Sequence, residues 1–369
     1  MQFGGLLFAL LCQNDSVNVE RNENFSKSNL DKSLTRVGIT MGDAAGIGAE
    51  ITLKALADEN TKKLCLPVVI GDAAYLRKTA EDLGLELDFV EATENVPYKL
   101  NQIAVHNLRN IPDQIILGED SGITGRAAAE YIEAAIQLWR EKKIDAICTA
   151  PISKKAIALG GYDFPGHTEF LAHLTDTKEF AMSFFAENLR VVLLSTHVSL
   201  RNAIDLIKKE KLVELIKFSH KSLSKLLKKD VKIAVAGLNP HASEGGMFGT
   251  EEAAEIIPAI VECRENLGID VSGAYSPDTI FLRGFRGEFD AVVSCYHDQA
   301  TIAVKCLSFG ASVNVTLGLP LIRTSVDHGT AFDIAGKNLA DASSMKAAVK
   351  LAAKLVNNRQ NHGLNVSNG

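Results

Sequence analysis

The sequence predicts an α/β protein built on a layered sheet, and three observations predict it. Short apolar runs alternate with longer amphipathic stretches from Arg36 onward. The runs are rich in Val and Ile and lack polar alternation, as strands buried on both faces of a parallel or mixed sheet do. Between them, apolar residues recur at helical spacing, and such β/α alternation places helices over the sheet.

The strands expected are residues 37–40, 66–70, 145–149, 190–195, 232–236, 290–294 and 311–315. Helical spacing covers 127–140 and 212–227, and the Ala/Lys/Leu-rich segment 343–356 reads as a C-terminal helix. Residues 95–125 are rich in turn formers, which predicts an irregular arm or a β-meander at the edge of a first domain. No fixed-period repeat is present.

At about 150 residues per domain, 369 residues suggest two domains or one large one. Hydrophobic residues at 46% and charged residues at 23% are enough for a sizeable core. Lys+Arg 39 against Asp+Glu 45 gives a net charge of −6, so no broad positive field awaits a polyanion. With aromatics at 6%, nucleic-acid binding is excluded as a general function, while a local basic pocket stays open. The six cysteines form no C-x-x-C pair and read as thiols of a reducing, cytoplasmic compartment. Residues 3–12 are apolar, but no Lys or Arg precedes them and Leu11 is a poor processing residue. That stretch is too short to span a bilayer, so no membrane association is expected. Residues 1–33 are read as a disordered or misassigned extension, with export as the alternative.

The chemistry gathers where apolar runs end. In open α/β sheets, ligands bind beyond the carboxyl ends of strands. Here 190–195 leads to His197, 232–236 to Asn239-Pro-His241, and 290–294 to Tyr296-His297-Asp298-Gln299. Three strands thus end in a histidine, on one rim if they share a sheet. Three imidazoles with open positions suit zinc and similar divalent metals, although separations of this length match no local motif. The alternative is that each histidine bonds within its own loop. Asp278 and Asp298 are candidates to orient a ligand or exchange a proton.

Gly42-Asp-Ala-Ala-Gly-Ile-Gly48 follows a strand and opens a helix. It is either an anion-binding turn or simply a tight strand-to-helix turn, and it is not the G-x-G-x-x-G fingerprint. The stretch from Gly161 to Thr168 has P-loop spacing with His167 in the lysine position, which removes the nucleotide-phosphate clamp. His167 and Thr168 remain as polar groups at an expected helix start. Lys305, Asn314 and Arg323 follow His297, and beside a metal they would suit a phosphorylated substrate.

Taken as ordered blocks, the chain resembles the PdxA family of 4-hydroxythreonine-4-phosphate dehydrogenases. The likeness runs from about Arg36 to Val356. It rests on 42–48, Gly166-His-Thr-Glu-Phe170, Ser195-Thr-His-Val-Ser-Leu200, 237–246, Tyr296-His-Asp-Gln299 and 314–331. The resemblance implies an isocitrate/isopropylmalate-dehydrogenase-like fold, two α/β domains with a cleft between them. The first comprises 34–149 plus 310–369 on the cofactor side, and the second 150–309 on the metal and dimer side. It further implies His197, His241 and His297 as ligands of a divalent metal (Zn, Mg or Co). Substrate contacts would be His167, Thr168, Lys305, Asn314 and Arg323. NAD or NADP would lie near His328, Gly329 and Asp333, and the active sites would be shared across a homodimer.

The reaction implied is oxidation of the C3 hydroxyl of 4-phosphooxy-L-threonine and decarboxylation to 3-amino-2-oxopropyl phosphate, in pyridoxal phosphate biosynthesis. Lys305 or an aspartate would take the proton. Ala44, Ala49 and Ala303 stand where the family commonly has proline, and Ala300 where it has glycine. Met41 and the segment 281–289 resemble a paralogous branch acting on D-threonate or D-erythronate 4-phosphate. That branch is the alternative substrate class. A metal-dependent hydrolase using the same histidines without nucleotide is the more distant one.

Overall fold

Val37, Ile39, Val68, Val69 and Ile70 are closed off from solvent on both sides, and they belong to strands at the middle of one parallel block. The computed structural model describes residues 35–92, 102–308 and 310–364, with side chains through 359. Its strands are β1 (Arg36–Thr40), β2 (Leu66–Gly71), β3 (Asp88–Glu91), β4 (Gln102–Asn107), β5 (Ala146–Thr149) and β6 (Ala181–Ala186). They continue as β7 (Leu189–Leu193), β8 (Ile233–Ala236), β9 (Val271–Tyr275), β10 (Ala291–Ser294), β11 (Val313–Leu317) and β12 (Ile322–Ser325). All join one 12-stranded sheet in the order β3-β4-β2-β1-β5-β12-β11-β6-β7-β10-β8-β9. All seven apolar runs expected from sequence are strands of it.

Pairing is parallel from β3 to β12, antiparallel through β11, β6 and β7, and parallel again from β7 to β9. Three reversals separate the two parallel blocks, so their strands point in opposite directions. The loops after β1, β5 and β12 therefore leave one edge of the sheet, and those after β7, β8 and β10 leave the other. Of the expected irregular arm, residues 95–101 lie outside the described residues. Gln102–Asn107 is β4, laid parallel between β2 and β3, so it is no meander, while residues 108–121 form neither helix nor strand, as an irregular arm does, and a helix begins at Gly122.

Helices cover both faces. In the first half they are α1 (Gly48–Ala57), α2 (Glu59–Lys62), α3 (Ala73–Asp82), α4 (Gly122–Arg140), α5 (Lys154–Leu159) and α6 (His167–Leu174). Oxygen side chains at Asp58, Asp72, Ser121 and Ser153 cap four of them, accepting first-turn N–H groups. Beyond these come α7 (Leu200–Asp205), α8 (Lys209–Leu227) and a helical run over 252–266 whose regular centre is α9 (Ile257–Val261). The last are α10 (Pro277–Phe285), α11 (His297–Ser308) and α12 (Ser343–Leu364). The long helix α12 packs under β5 and β12, where Thr324 donates to the Ala348 carbonyl at 3.0 Å and Cys148 meets Met345. On the other face, Thr168 of α6 approaches Thr316 of β11.

Candidate active site

The first polar cluster lies on that other face. Arg323 is 2% exposed in the middle of a strand, an expensive place for a guanidinium without partners. It donates from Nη2 to Thr149 Oγ1 at 2.7 Å and from Nη1 to Thr316 Oγ1 at 3.0 Å. Its Nε has no partner. Burial lowers its pKa to about 10, which still leaves it charged at neutral pH. Thr168, at the start of α6, brings its hydroxyl to 3.5 Å from that of Thr316. His167 beside it has a buried, unpartnered Nε2. Burial, reinforced by the Arg323 charge, holds this imidazole well below its usual pKa, so it is neutral at pH 7. Asn314 pairs with Ser325 across β11 and β12, so alternation puts it on the same face, with its buried Oδ1 also unpartnered. Buried polar atoms are normally satisfied. Two such atoms beside a cation whose own Nε is also unpartnered describe a place for a polar ligand with an anionic end.

The second cluster is the histidine rim. β7, β10 and β8 are adjacent and parallel, so His197, His297 and His241 leave the same edge, as the strand-end reading expects. The rings of His197 and His297 stand 6.0 Å apart between centroids. His297 Nδ1 is 2.7 Å from Asp298 Oδ1, a pairing that fixes the ring and leaves Nε2 free, as metal-bound histidines are commonly held. His241 sits instead beside Phe248, at 6.4 Å between centroids, and within electrostatic reach of Asp278. Asp278 accepts from Ser276 Oγ at 2.5 Å, and that bond holds its carboxyl below the usual range. Among the described residues, no three His, Cys, Asp or Glu side chains form a metal-sized group within the single chain. The residues nonetheless fit a metal, as two neighbouring imidazoles, one of them oriented by a carboxylate, and a third on the same rim.

Two further residues shape this rim. Glu252 is buried, and its Oε1 accepts the N–H groups of Leu238 and Asn239 at 2.8 and 2.7 Å. It thereby holds the loop in which His241 takes a left-handed backbone, φ 54°. Gln299 ties that loop to the next one, donating to Gly237 O and accepting from Cys295 N, both at 2.7 Å. Lys305 is exposed on α11, about 12 Å along the helix axis from His297.

At the opposite edge, the loop 327–336 is anchored by Asp327, which accepts from Ser312 and from Ser344. His328 leaves Nε2 buried and unpartnered, Gly329 has open space around it, and Asp333 is exposed. The 42–48 segment packs against this loop. A Cβ on Gly46 would lie 2.8 Å from Thr330 O, and Ile47 donates to the same oxygen. The N–H groups of Asp43, Ala45, Gly46 and Ile47 are all bonded within the protein, as in a tight strand-to-helix turn. Gly42 has φ 74° and would clash with Pro151 O if it bore a Cβ, which explains its glycine.

The structure thus joins His167, Thr168, Asn314 and Arg323 in one cluster, pairs His197 with His297, and sets His241 by Asp278. It leaves Lys305, His328, Gly329 and Asp333 outside those groups. Sequence reasoning missed Thr149, Thr316, Glu252 and Gln299. Gln299 alone carried a signal, its place directly after His297-Asp298.

A mixed sheet with a buried arginine cluster and a histidine rim is the frame of an α/β enzyme, and its relatives are dehydrogenases of phosphorylated hydroxy acids. A solved 4-hydroxythreonine-4-phosphate dehydrogenase from Klebsiella pneumoniae is 37% identical with TM-score 0.79, covering 88% of this chain and 99% of its own. Its counterpart from Burkholderia phymatum is 45% identical with TM-score 0.76, covering 87% and 98%. A D-threonate 4-phosphate dehydrogenase from Cupriavidus necator is 46% identical over 88% of this chain and 98% of its own. A family model described as "Pyridoxal phosphate biosynthetic protein PdxA" matches residues 63–352, and the chain belongs to that family. No described helix is long and apolar enough to cross a membrane.

Proposed function

We propose that this protein is a cytoplasmic, NAD(P)- and divalent-metal-dependent dehydrogenase of a 4-phosphorylated 3-hydroxy acid, oxidising C3 and releasing the carboxylate as CO2. The observation that carries this reading is the buried Arg323 with unpartnered His167 Nε2 and Asn314 Oδ1 around it. D-Threonate 4-phosphate is the leading substrate, because a relative 46% identical bears that activity in its name. 4-Phosphooxy-L-threonine is the second, favoured by the names of the solved relatives.

In this reading Arg323 and Thr168 bind the substrate's anionic end, and neutral His167 and Asn314 add uncharged polar contacts. His197, His241 and His297 hold the metal, with Asp298 orienting the His297 ring. When bound, the metal (zinc, magnesium or cobalt) supplies Lewis acidity at the C3 oxygen and the nicotinamide supplies the hydride acceptor. Lys305, Asp278 and Asp298 are the candidate groups to receive the C3 hydroxyl proton, and His328, Gly329 and Asp333 belong to the proposed cofactor loop. The division at 149/150 and 309/310 separates a cofactor half from a metal half.

A homodimer completes the site. One chain pairs only two of its three histidines, and their loops carry exposed apolar side chains: Val198, Leu200, Met247, Phe248 and, on α11, Ile302. Such a rim suits a second copy that brings its own loops to the same centre. The test is NAD(P)H formation with D-threonate, D-erythronate and L-threonine 4-phosphates, with and without chelator. Chelator-sensitive reduction with one of them is expected. Turnover without nucleotide would point to a metal-dependent hydrolase instead.

A further inference from the structure

On the opposite face of β11 and β12 from the Arg323 cluster lies a cavity of about 230 Å³ between α8, α12 and the β11–β12 turn. Its floor is apolar, with Phe218, Leu226, Leu317 and Leu319. Its walls are cationic. Lys221 and Lys225 stand at i and i+4 of α8, on one helix face, and Arg359 comes from α12. Like charges at that spacing repel unless something compensates them. None of the three makes an ion pair or hydrogen bond among the described residues, and Glu179 is the one carboxylate in the wall. Arg359 is half-buried, and burial alone depresses its pKa, with no carboxylate acting on it. Three cations around one partly closed apolar space, with no bonded carboxylate among the described residues, leave an excess of positive charge there.

We propose that this cavity binds a phosphate dianion, free or esterified to a small apolar body. A dianion with three acceptor oxygens can answer one guanidinium and two ammonium groups at once, whereas a monocarboxylate leaves cations unmatched. The apolar floor accepts the body of an ester. Thr316 and Arg323 border the cavity too, but strand alternation sends their side chains, with that of Asn314, to the other face of β11 and β12, whereas Val315, Leu317 and Ile322 face the cavity.

The test is calorimetric titration of the full chain with phenyl phosphate, inorganic phosphate and phenol. The wild type is expected to take up phenyl phosphate at this cavity in addition to the active site. Lys225→Gln/Arg359→Gln is expected to lose one of the two bound equivalents, with unchanged thermal unfolding, whereas Lys305→Gln retains the cavity equivalent. The single Lys221→Gln change, on an exposed residue, should weaken that equivalent about tenfold or more, a second reading should the double variant misfold. Inorganic phosphate binding as tightly as phenyl phosphate identifies the free anion as the occupant. Weaker competition by phosphate, with none by phenol, identifies an ester. Phenyl phosphate stoichiometry and affinity unchanged in the double variant would overturn the proposal. The outcome does not depend on the dehydrogenase assay, so each can fail alone.

Discussion

The side-chain amide of Gln299 donates to the main-chain carbonyl of Gly237 at 2.7 Å, bridging two loops that each carry a histidine of the rim. Its oxygen closes the bridge by accepting from Cys295 N–H. Gln299 is therefore a positioning residue. Gln299→Leu keeps the volume and removes both bonds. Metal affinity, titrated calorimetrically with Co²⁺, should fall about 10- to 100-fold, the usual range for outer partners of a metal site. Unchanged affinity would show that the loops keep their spacing without the bridge.

Arg323 offers a second test. Its two guanidinium bonds leave from separate nitrogens to threonines on neighbouring strands, a fork that the single nitrogen of a lysine lacks. Arg323→Lys should raise KM for the phosphorylated substrate by about tenfold to a hundredfold, from charge-assisted bonds of about 1.5–3 kcal/mol. A kcat loss at unchanged KM would place Arg323 away from ground-state binding.

His167 makes stability pH-dependent. Its folded pKa lies well below 6.5, so below that pH the unfolded chain binds the proton and the folded chain does not. Stability is thus full above pH of about 6.5 and falls as pH drops from there toward the depressed folded pKa. His167→Asn should flatten the dependence of Tm on pH between about 5 and 7. Parallel curves for variant and wild type would contradict the buried neutral imidazole.

The helix that carries His167 and Thr168 is seated by Phe170, which is 1% exposed and stacks on Phe164 at 4.3 Å. Phe170→Ala should cost about 3–5 kcal/mol in denaturant unfolding and weaken substrate binding as well. A loss below 1 kcal/mol would mean that the pocket collapses around the alanine.

The exposed apolar rim gives a last prediction. Met247 is 73% exposed beside the His241 loop, so Met247→Asp costs a free monomer little. In sedimentation velocity the wild type should run as a dimer and the variant as a monomer with impaired Co²⁺ binding. A variant that stays dimeric with full metal binding would move the interface elsewhere.

Much of the sheet was legible because its central strands are buried on both faces and so are written as unbroken apolar runs. β12 was not, since Ile-Arg-Thr-Ser puts a charge inside a strand of four residues. That arginine is tolerated only because threonines on β5 and β11 receive it. β9 and β3 escaped because Val-Ser-Gly-Ala-Tyr and Asp-Phe-Val-Glu hold too few apolar residues for a run. The histidines were legible because a polar residue directly after a buried strand has little packing purpose.

By itself, the sequence determined the α/β class, seven strands, three strand-end histidines and the family likeness, all of which are local patterns. Which residues share a site was decided only by tertiary structure. Thr149 and Arg323 are 174 residues apart, and nothing near either announces the other. They meet because β5 and β12 pair in a register that aligns their side chains on one face. Likewise, the three reversals through β11, β6 and β7 send the two sets of loops to opposite edges. Strand direction is a property of the assembled hydrogen-bond ladder, and no single strand's sequence contains it.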